Sequence, residues 1–346
     1  QGEEYSFEAK IDLLFSSAGP GFYINPDYIK LDGLFDSFEH GPSLIATSLG
    51  RFKTSDFSTK IFSQKIDGFV MNFNYPAIEL TIAAGYTGLF FSKTGSLLSS
   101  SPSTIMSKTD AFERANSTGL FESPAAPGDD RYLLQSPRAV EIVTLTLPQI
   151  AAKQNLTLSF TAQEDMRPMM DILRAYGDEN YTPVLLQEGE TEYSPDKGGA
   201  VDTQYLGFGV SGPSVESLYH NVYYYFGTGR AMSYQADSAS DTGSSYGYDT
   251  ILSHLAGFNL DYYLPGFFNS RAGLGFTFGT GDADANSFYE GNTTGSYNQF
   301  LPITGGGGGM IFSPGVSNII SASANFSMKP FSNMDIPFVK TAQMVL

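Results

Sequence analysis

Three histidines, His40, His220 and His254, are the side chains best suited to acid–base or metal chemistry in this chain. The sequence around His220 and His254 predicts strands, and the sequence around His40 predicts a loop. None of the three has a second histidine or a cysteine at a spacing that suits a metal ion. A Ser–His or Asp–His hydrolase at the edge of the fold stays open as a minor alternative, because its geometry cannot be read from sequence. We expect a protein that is not an enzyme.

Oxygen ligands for a cation are the second chemistry to consider. Asp282 and Asp284, within residues 281–286, could contact Ca²⁺, but the later glutamate of an EF-hand loop is missing. A solvated acidic loop is the favoured interpretation. The chain has no cysteine, which excludes disulfides and thiolate metal sites, and the glycine run 305–309 lacks the lysine of a phosphate loop. We expect no cofactor and no bound metal.

Charge and composition exclude some partners and favour others. The 346-residue chain has a formal net charge of −17 at pH 7, whereas a nucleic-acid-binding protein needs a basic surface. The negative charge fits acidic surface loops or a pore that favours cations. Charged residues are only 16% of the chain, below the about 25% of soluble domains. No apolar run approaches the about 18 residues of a transmembrane helix.

Strands must position these residues, and residues 78–90 show the strand pattern most clearly. Every second residue is apolar or small, and the residues between them are polar or small. The first set is Ile78, Leu80, Ile82, Ala84, Tyr86, Gly88 and Phe90. Strict alternation is typical of a strand. The run exceeds the usual length of about 5–6 residues for a soluble strand. It fits the roughly 9–11 residues of a strand that crosses a bilayer.

The pattern recurs along the chain, and the connections alternate in length. Short connections are predicted near Pro76, Pro213, Pro265 and Pro330 and at 148–154. Long polar segments are predicted at 92–137, 164–202, 227–249 and 281–315. Short turns on one side and long loops on the other are typical of outer-membrane barrels. The prediction is an all-β, antiparallel transmembrane β-barrel of about twelve or more strands, with 1–346 as one domain.

Three segments are predicted to depart from this pattern. Residues 16–41 are expected to be irregular, with a short strand at 28–35. Residues 52–65 are expected to form a loop, and 166–176 a short helix that folds against the pore. A secreted all-β sandwich or β-helix is the alternative fold, which the strand lengths disfavour.

Charged residues on the polar phase of the strands are the candidates for a pore lining, namely Glu8, Lys10, Asp12, Arg51, Glu79, Arg271 and Lys329. Arginine or lysine facing lipid near the midplane would cost about 2–4 kcal/mol, so these side chains should face the lumen or lie at a rim. There they would set the field along the pore. The alternative is that some of them only pair with one another to fill the lumen.

Aromatic residues cluster at the predicted turn around Pro265. Tyr262 and Tyr263 precede this turn, and Phe267 and Phe268 lie within it. Amphipathic rings prefer the headgroup level of a bilayer, so the cluster predicts an interfacial girdle. A core aromatic cluster is the alternative.

Two groups of short motifs carry a family resemblance. One is Ser48-Leu49-Gly50-Arg51-Phe52 followed by Gln64-Lys65-Ile66-Asp67-Gly68-Phe69, in which a strand ends in Gly-Arg and Asp-Gly opens the next strand. The other is Phe276-Thr277-Phe278-Gly279-Thr280-Gly281-Asp282, with Phe300-Leu301-Pro302 after it. These stretches resemble the Gram-negative outer-membrane porin superfamily, in particular its alginate-export-like branch.

The resemblance implies a wide barrel that passes hydrophilic solutes across the outer membrane. An alginate exporter needs an arginine-rich lumen, whereas this chain has only 19 lysine and arginine residues in total, so that substrate is not carried over. The chain ends in Val345-Leu346 rather than in the usual aromatic residue, and it begins without a signal peptide. We expect a mature form or an engineered start, with a C-terminus that could be incomplete.

The function expected from the sequence is an outer-membrane porin of a Gram-negative-type bacterium, through which small hydrophilic solutes or ions diffuse with a preference for cations. Its expected partners are outer-membrane lipid and those solutes, and a homo-oligomer or a surface partner stays open. The alternative from another class is a plugged surface barrel whose long loops bind a partner or matrix. A rim hydrolase is less favoured.

Overall fold

The computed structural model describes residues 3–16, 21–36, 41–87, 138–166, 201–236, 244–283, 297–304, 316–331 and 343–345. Thirteen strands form one sheet in which every strand pairs with its neighbour in sequence, and all the pairings between these strands are antiparallel. The predicted all-β antiparallel class is therefore confirmed. In the described part of the chain, no helix has the length and hydropathy needed to cross a membrane.

The strands are long, as a bilayer-spanning sheet requires. Apart from the two-residue last strand, they contain between 8 and 21 residues. Their bounds are β1 Glu3–Ser16, β2 Gly21–Asp36, β3 Leu44–Ser55, β4 Ser63–Asn74, β5 Glu79–Tyr86, β6 Arg138–Ala151, β7 Gln154–Asp165, β8 Val201–Val215, β9 Leu218–Ala236, β10 Ser244–Leu264, β11 Ser270–Gly279, β12 Ile319–Met328 and β13 Met344–Val345.

The two faces of the sheet differ in burial and in chemistry. On β8 the face with Val201, Thr203 and Tyr205 is buried, whereas Leu206 and Phe208 on the opposite face are exposed. Directly opposed residues on neighbouring strands share a face, so this division extends across the sheet through the strand register. We call the face of Tyr205 the inner face and the face of Leu206 the outer face.

The sheet curls around its inner face. One buried cluster joins Phe52 of β3 and Ile66 of β4 with Ile142 of β6, Tyr225 of β9 and Leu255 of β10. In a flat sheet β3 and β10 would lie roughly 34 Å apart at the usual strand spacing. One cluster can contain side chains from all these strands only if the strands surround it, as the strands of a barrel do.

The prediction of irregular structure was wrong for two regions. Residues 16–41 are not mostly irregular, because β2 spans Gly21–Asp36. Residues 227–249 are not a loop, because β9 continues to Ala236 and β10 begins at Ser244. The prediction failed because residues 227–249 are rich in glycine, serine and aspartate, a composition typical of loops. Backbone pairing over nineteen positions between β9 and β10 holds it as a ribbon.

Other predicted element boundaries also differ from those in the structure. The predicted loop at 52–65 was wrong in most of its extent, because β3 runs to Ser55 and β4 starts at Ser63. The connector at 148–154 largely belongs to β6, which ends at Ala151. The turn placed at 212–214 lies at 216–217, between β8 and β9. The predicted loop at 92–137 and almost all of the predicted helix at 166–176 lie outside the described residues.

The two ends of the sheet differ as predicted within the described residues. At one end the connections are short, such as 152–153 and 216–217. At the other end β5 and β6 are separated by 87–137, and β7 and β8 by 166–200. We call these the short-turn end and the loop end. Exposed rings of Tyr262, Tyr263 and Phe267 lie at the short-turn end, which disfavours the core-cluster alternative for them.

Candidate functional site

The inner face near the short-turn end is polar, and we call this region the vestibule. Neutral side chains line much of it and bond to each other across strands. Thr81 Oγ1 donates to Asn72 Oδ1 at 2.7 Å, and the hydroxyls of Thr146 and Thr157 lie 3.4 Å apart. A polar interior behind an apolar exterior is the arrangement of a water-filled barrel.

Charged side chains in the vestibule are mostly paired. Arg271 Nε lies 2.9 Å from Asp261 Oδ1, and Arg271 Nη2 lies 2.8 Å from Asp261 Oδ2. Lys30 Nζ lies 3.3 Å from Glu8 and 2.9 Å from Asp32, which also accepts a bond from Ser48. Glu79 is exposed and forms no ion pair with another described residue. It therefore differs from Arg271, Lys30 and Glu8, which have carboxylate or ammonium partners.

Toward the loop end, the β3–β4 hairpin leaves the sheet. The pairing of β2 with β3 ends at Arg51, and the pairing of β5 with β4 ends at Asp67. Between these points, residues 52–66 keep only the β3–β4 pairing within the sheet. We call residues 52–66 the arm. Because the hairpin pairs with neither β2 nor β5 in this region, it is not held in the wall and can bend into the interior.

Two facing glycines mark the base of the arm. Gly50 pairs with Gly68, and Gly50 has a φ of +122°, which side-chain-bearing residues rarely adopt. A Cβ atom on Gly50 would lie 2.2 Å from the Ile29 carbonyl oxygen. A Cβ atom on Gly68 would lie 2.1 Å from the Ala84 carbonyl oxygen. The close backbone approach at this bend therefore requires glycine at both positions.

The apolar face of the arm packs against the far wall. Ile61 and Phe62 are fully buried and belong to the same cluster as Tyr205, Tyr225 and Leu255. The Phe57 ring stacks on Tyr225 with 5.1 Å between centroids. Wall glycines 207 and 209 leave room for Phe57, because a Cβ atom at either position would lie within 3 Å of its ring.

Asp56 organises the tip of the arm and fastens it to β9. Its buried carboxylate accepts bonds from the backbone amides of Ser58, Ile61 and Phe62 at 2.7–3.0 Å. The Tyr225 hydroxyl donates to the same carboxylate at 2.7 Å. Asp56 therefore both shapes the turn and holds the arm against the opposite wall.

A second chain segment, residues 297–304, completes the filling of the interior, and we call it the inner segment. At one end, the Tyr297 amide donates to the Thr250 carbonyl at 2.8 Å. At the other, the Thr304 amide donates to the Ile61 carbonyl at 2.9 Å. The Tyr205 hydroxyl donates to the Leu301 carbonyl between these points. The inner segment thus ties the arm to the wall.

Tyr297 is almost completely buried in this region. Burial, with a smaller contribution from Asp282, raises the pKa of Tyr297. Its hydroxyl donates to Gln299 Oε1 at 3.1 Å. We call the arm and the inner segment together the plug.

The other face of the arm is charged and packs on the near wall. Arg51, only 3% exposed, lies 2.7 Å from the Asp67 carboxylate. Lys65 pairs with Asp27, which also lies 2.6 Å from Lys10. Lys65 lies 5.2 Å from the centre of the Tyr28 ring. The arm is therefore held between an apolar contact on one side and ion pairs on the other.

The predicted pore-lining residues fall into different settings. Glu8, Lys10, Glu79 and Arg271 lie on the inner face, and all but Glu79 have ion-pair partners. Arg51 is buried at the base of the arm, where it pairs with Asp67. Lys329 is exposed in the turn after β12. The Asp12 side chain lies outside the described part of the chain.

The predicted chemistry of the histidines and acidic residues finds little support in the geometry. His220 Nδ1 lies 2.7 Å from Ser214 Oγ, but no described carboxylate bonds to this ring, as a base for a nucleophile requires. His254 bonds to the Tyr224 hydroxyl on the outer face. Asp282 accepts a bond from the Asn298 amide at 2.6 Å, and Asp284 lies outside the described residues. Among those residues, no group of three His, Cys, Asp or Glu side chains could hold a metal ion.

Sequence reasoning missed Asp56, Tyr205 and Tyr225, which hold the plug. The alternation of Tyr223 and Tyr225 with Tyr224 was visible, and it places the first two on one face. No local signal pointed to their partners, because Asp56 lies 169 positions from Tyr225.

Comparisons with known proteins identify no family. No family model matches the sequence, and no curated protein matches it. Solved structures include 21 matching chains. One is a porin refined at 1.8 Å resolution, 7% identical, with 94% of this chain and 88% of the porin chain covered and a TM-score of 0.30. The alginate-export resemblance therefore rests on its motifs, and the fold on the strand pairing described above.

Proposed function

We propose that this protein is an outer-membrane barrel through which small hydrophilic solutes or ions diffuse, with the plug narrowing the passage at the loop end. The observation that carries the proposal is the contrast between the two faces. Large apolar side chains on the outer face are widely exposed, including Phe7 at 69%, Leu274 at 57% and Ile320 at 76%. Soluble monomers rarely expose so continuous an apolar surface, whereas lipid contact would cover it.

The vestibule supports the aqueous part of the proposal. Asn, Thr and Ser side chains and paired charges line it, and such groups need water or each other. Polar residues facing inward and apolar residues facing outward on the same strands are the pattern of a barrel that conducts. In this proposal the short-turn end faces the periplasm.

A preference for cations is expected from the vestibule charges. Glu79 is exposed and unpaired among the described residues, whereas Arg271 and Lys30 are bound to carboxylates. An unpaired carboxylate attracts cations to the mouth of a pore. Glu79→Gln should therefore shift the reversal potential in asymmetric salt toward lower cation selectivity.

The matched control for Glu79→Gln is Glu141→Gln. Glu141 opposes Ala84 on the neighbouring strand and faces outward, so its loss removes the same charge without touching the vestibule. Planar-bilayer recordings of both variants test the assignment. Equal shifts of the reversal potential from the two substitutions, or no shift from Glu79→Gln, would contradict the role of Glu79 in cation selectivity.

The buried plug favours a second candidate, a closed barrel whose long loops bind a partner or matrix. Phe300 and Ile303 of the inner segment are completely buried together with Ile61 and Phe62 of the arm. Tight packing of this kind could exclude solutes altogether. Stable insertion into bilayers without conductance, in wild type and at every voltage, would favour this candidate over the first.

A further inference from the structure

The inner face of β7 is polar along its whole length, including the part that faces the plug. It carries Asn155 and Thr157 in the vestibule and Ser159, Thr161 and Gln163 toward the loop end. The neighbouring strands are apolar at the same level. Ile142 of β6 and Tyr205 of β8 directly oppose Thr161 and belong to the buried cluster. One polar stripe therefore crosses an otherwise apolar zone.

Toward the loop end, the polar atoms of this stripe are buried and lack partners within the described part of the chain. Ser159 Oγ, Thr161 Oγ1 and Gln163 Oε1 form no hydrogen bond with another described residue. All three residues are at least nine-tenths buried. Leaving such groups unbonded is unfavourable, so proteins normally satisfy them with other groups or with water.

The arm also carries a buried polar group. Gln64 shares the arm face of Ile66 and is 5% exposed, and neither amide atom bonds to another described residue. An amide has two donors and two acceptor sites, so it can bind water or a polar solute from either side. Unbonded polar groups on the wall and on the arm are what a line of water between them requires.

We infer that a narrow hydrated passage runs along β7, between the wall and the arm, and that it is the route through the plug. The inference rests on the proposed function and specifies the route. The stripe consists of neutral hydroxyl and amide groups, and the cation Arg138, at the loop end of β6, is fully buried and bonds to the Val201 carbonyl at 3.1 Å. The route therefore fits small hydrophilic solutes with several hydroxyl groups, which can replace the hydrogen bonds of water.

The test is the swelling rate of proteoliposomes in glycerol, for wild type and for the double variant Ser159→Ala and Thr161→Val. Both substitutions remove a hydroxyl and leave the rest of the side chain nearly unchanged in shape, and an apolar constriction expels water. We expect glycerol-driven swelling to fall by about threefold or more. The control is Thr228→Val, because Thr228 lies on the outer face of β9 opposite Gln204, and its swelling rate should equal that of wild type.

Thermal unfolding of the same variants distinguishes a hydrated contact between β7 and the arm from a contact without water. If the contact is dry, removing unbonded hydroxyls should raise the stability and leave swelling unchanged, and this result would overturn the passage. Absence of both swelling and conductance in wild type would overturn the proposed function and the passage with it. Normal wild-type conductance together with unchanged swelling of the double variant would overturn the passage alone.

Discussion

At the scale of single residues, the hydrogen bond between Tyr225 and Asp56 fastens the arm to the wall. Tyr225→Phe removes a hydrogen bond to a buried carboxylate, and such bonds contribute about 1.5–3 kcal/mol. The arm should then leave the wall more often, because Asp56 keeps its bonds within the turn but loses the one to β9. We expect longer or larger open events in bilayer recordings and faster tryptic cleavage at Lys60.

Tyr224→Phe is the control for Tyr225→Phe. Tyr224 is the adjacent residue, and its hydroxyl bonds to His254 on the outer face. The control also loses one hydroxyl from the same strand, but it leaves the arm untouched. Similar cleavage and gating in the two variants would show that Tyr225 does not hold the arm.

Gly50 supplies the second prediction at this scale. Gly50→Ala forces a side chain onto a φ of +122° and against the Ile29 carbonyl, and strain of this kind costs about 1–3 kcal/mol. Gly266→Ala is the control, because its Cβ atom would have no heavy atom within 4 Å. Thermal unfolding should show a clear loss for the first variant and little change for the second. Equal unfolding temperatures would contradict the bend at Gly50.

At the scale of elements, the arm is the part that restricts the interior. Replacing residues 55–63 by Asn-Gly joins the paired Thr54 and Gln64 through a turn that suits a two-residue hairpin. This change removes Asp56, Phe57, Ile61 and Phe62 from the interior without breaking the wall. We expect single-channel conductance to increase severalfold, because the apolar packing at the loop end is lost.

Replacing residues 265–268 by Asn-Gly is the matched control for the shortened arm. This turn joins β10 to β11 at the short-turn end, away from the plug. Conductance of the control should equal that of wild type. If the shortened arm conducts no better than this control, the arm does not restrict the passage.

Sequence patterns predicted the strands of the wall better than the plug that fills the interior. Alternation identified the faces of β5, β7, β11 and β12, because the outer face carries an apolar side chain at nearly every second position. It failed for the first part of β2 and for the end of β9, where backbone pairing with one neighbouring strand holds glycine, serine and proline in the sheet. It also failed for the arm, which carries lysine and serine like a surface loop but buries Phe52, Ile61 and Phe62 against strands far away in the sequence.

At the scale of the whole molecule, the interior has two zones with different roles. The vestibule is polar and contains Glu79, which forms no ion pair with another described residue. In the proposed function the vestibule selects which ions enter, and the largely apolar zone at the loop end, filled by the plug, limits the size of the solutes that pass. The charges predicted to face the lumen or lie at a rim are divided between these zones, with Arg51 buried beside Asp67 in the second.

The most direct test of this account is single-channel recording of the purified, detergent-folded wild type and shortened-arm protein in planar bilayers, under a salt gradient. We predict small, cation-preferring steps for wild type and larger steps of the same preference after the arm is shortened, since Glu79 is retained. Insertion of both proteins without any conductance would contradict a diffusion pathway. Failure of both to insert would contradict a membrane barrel.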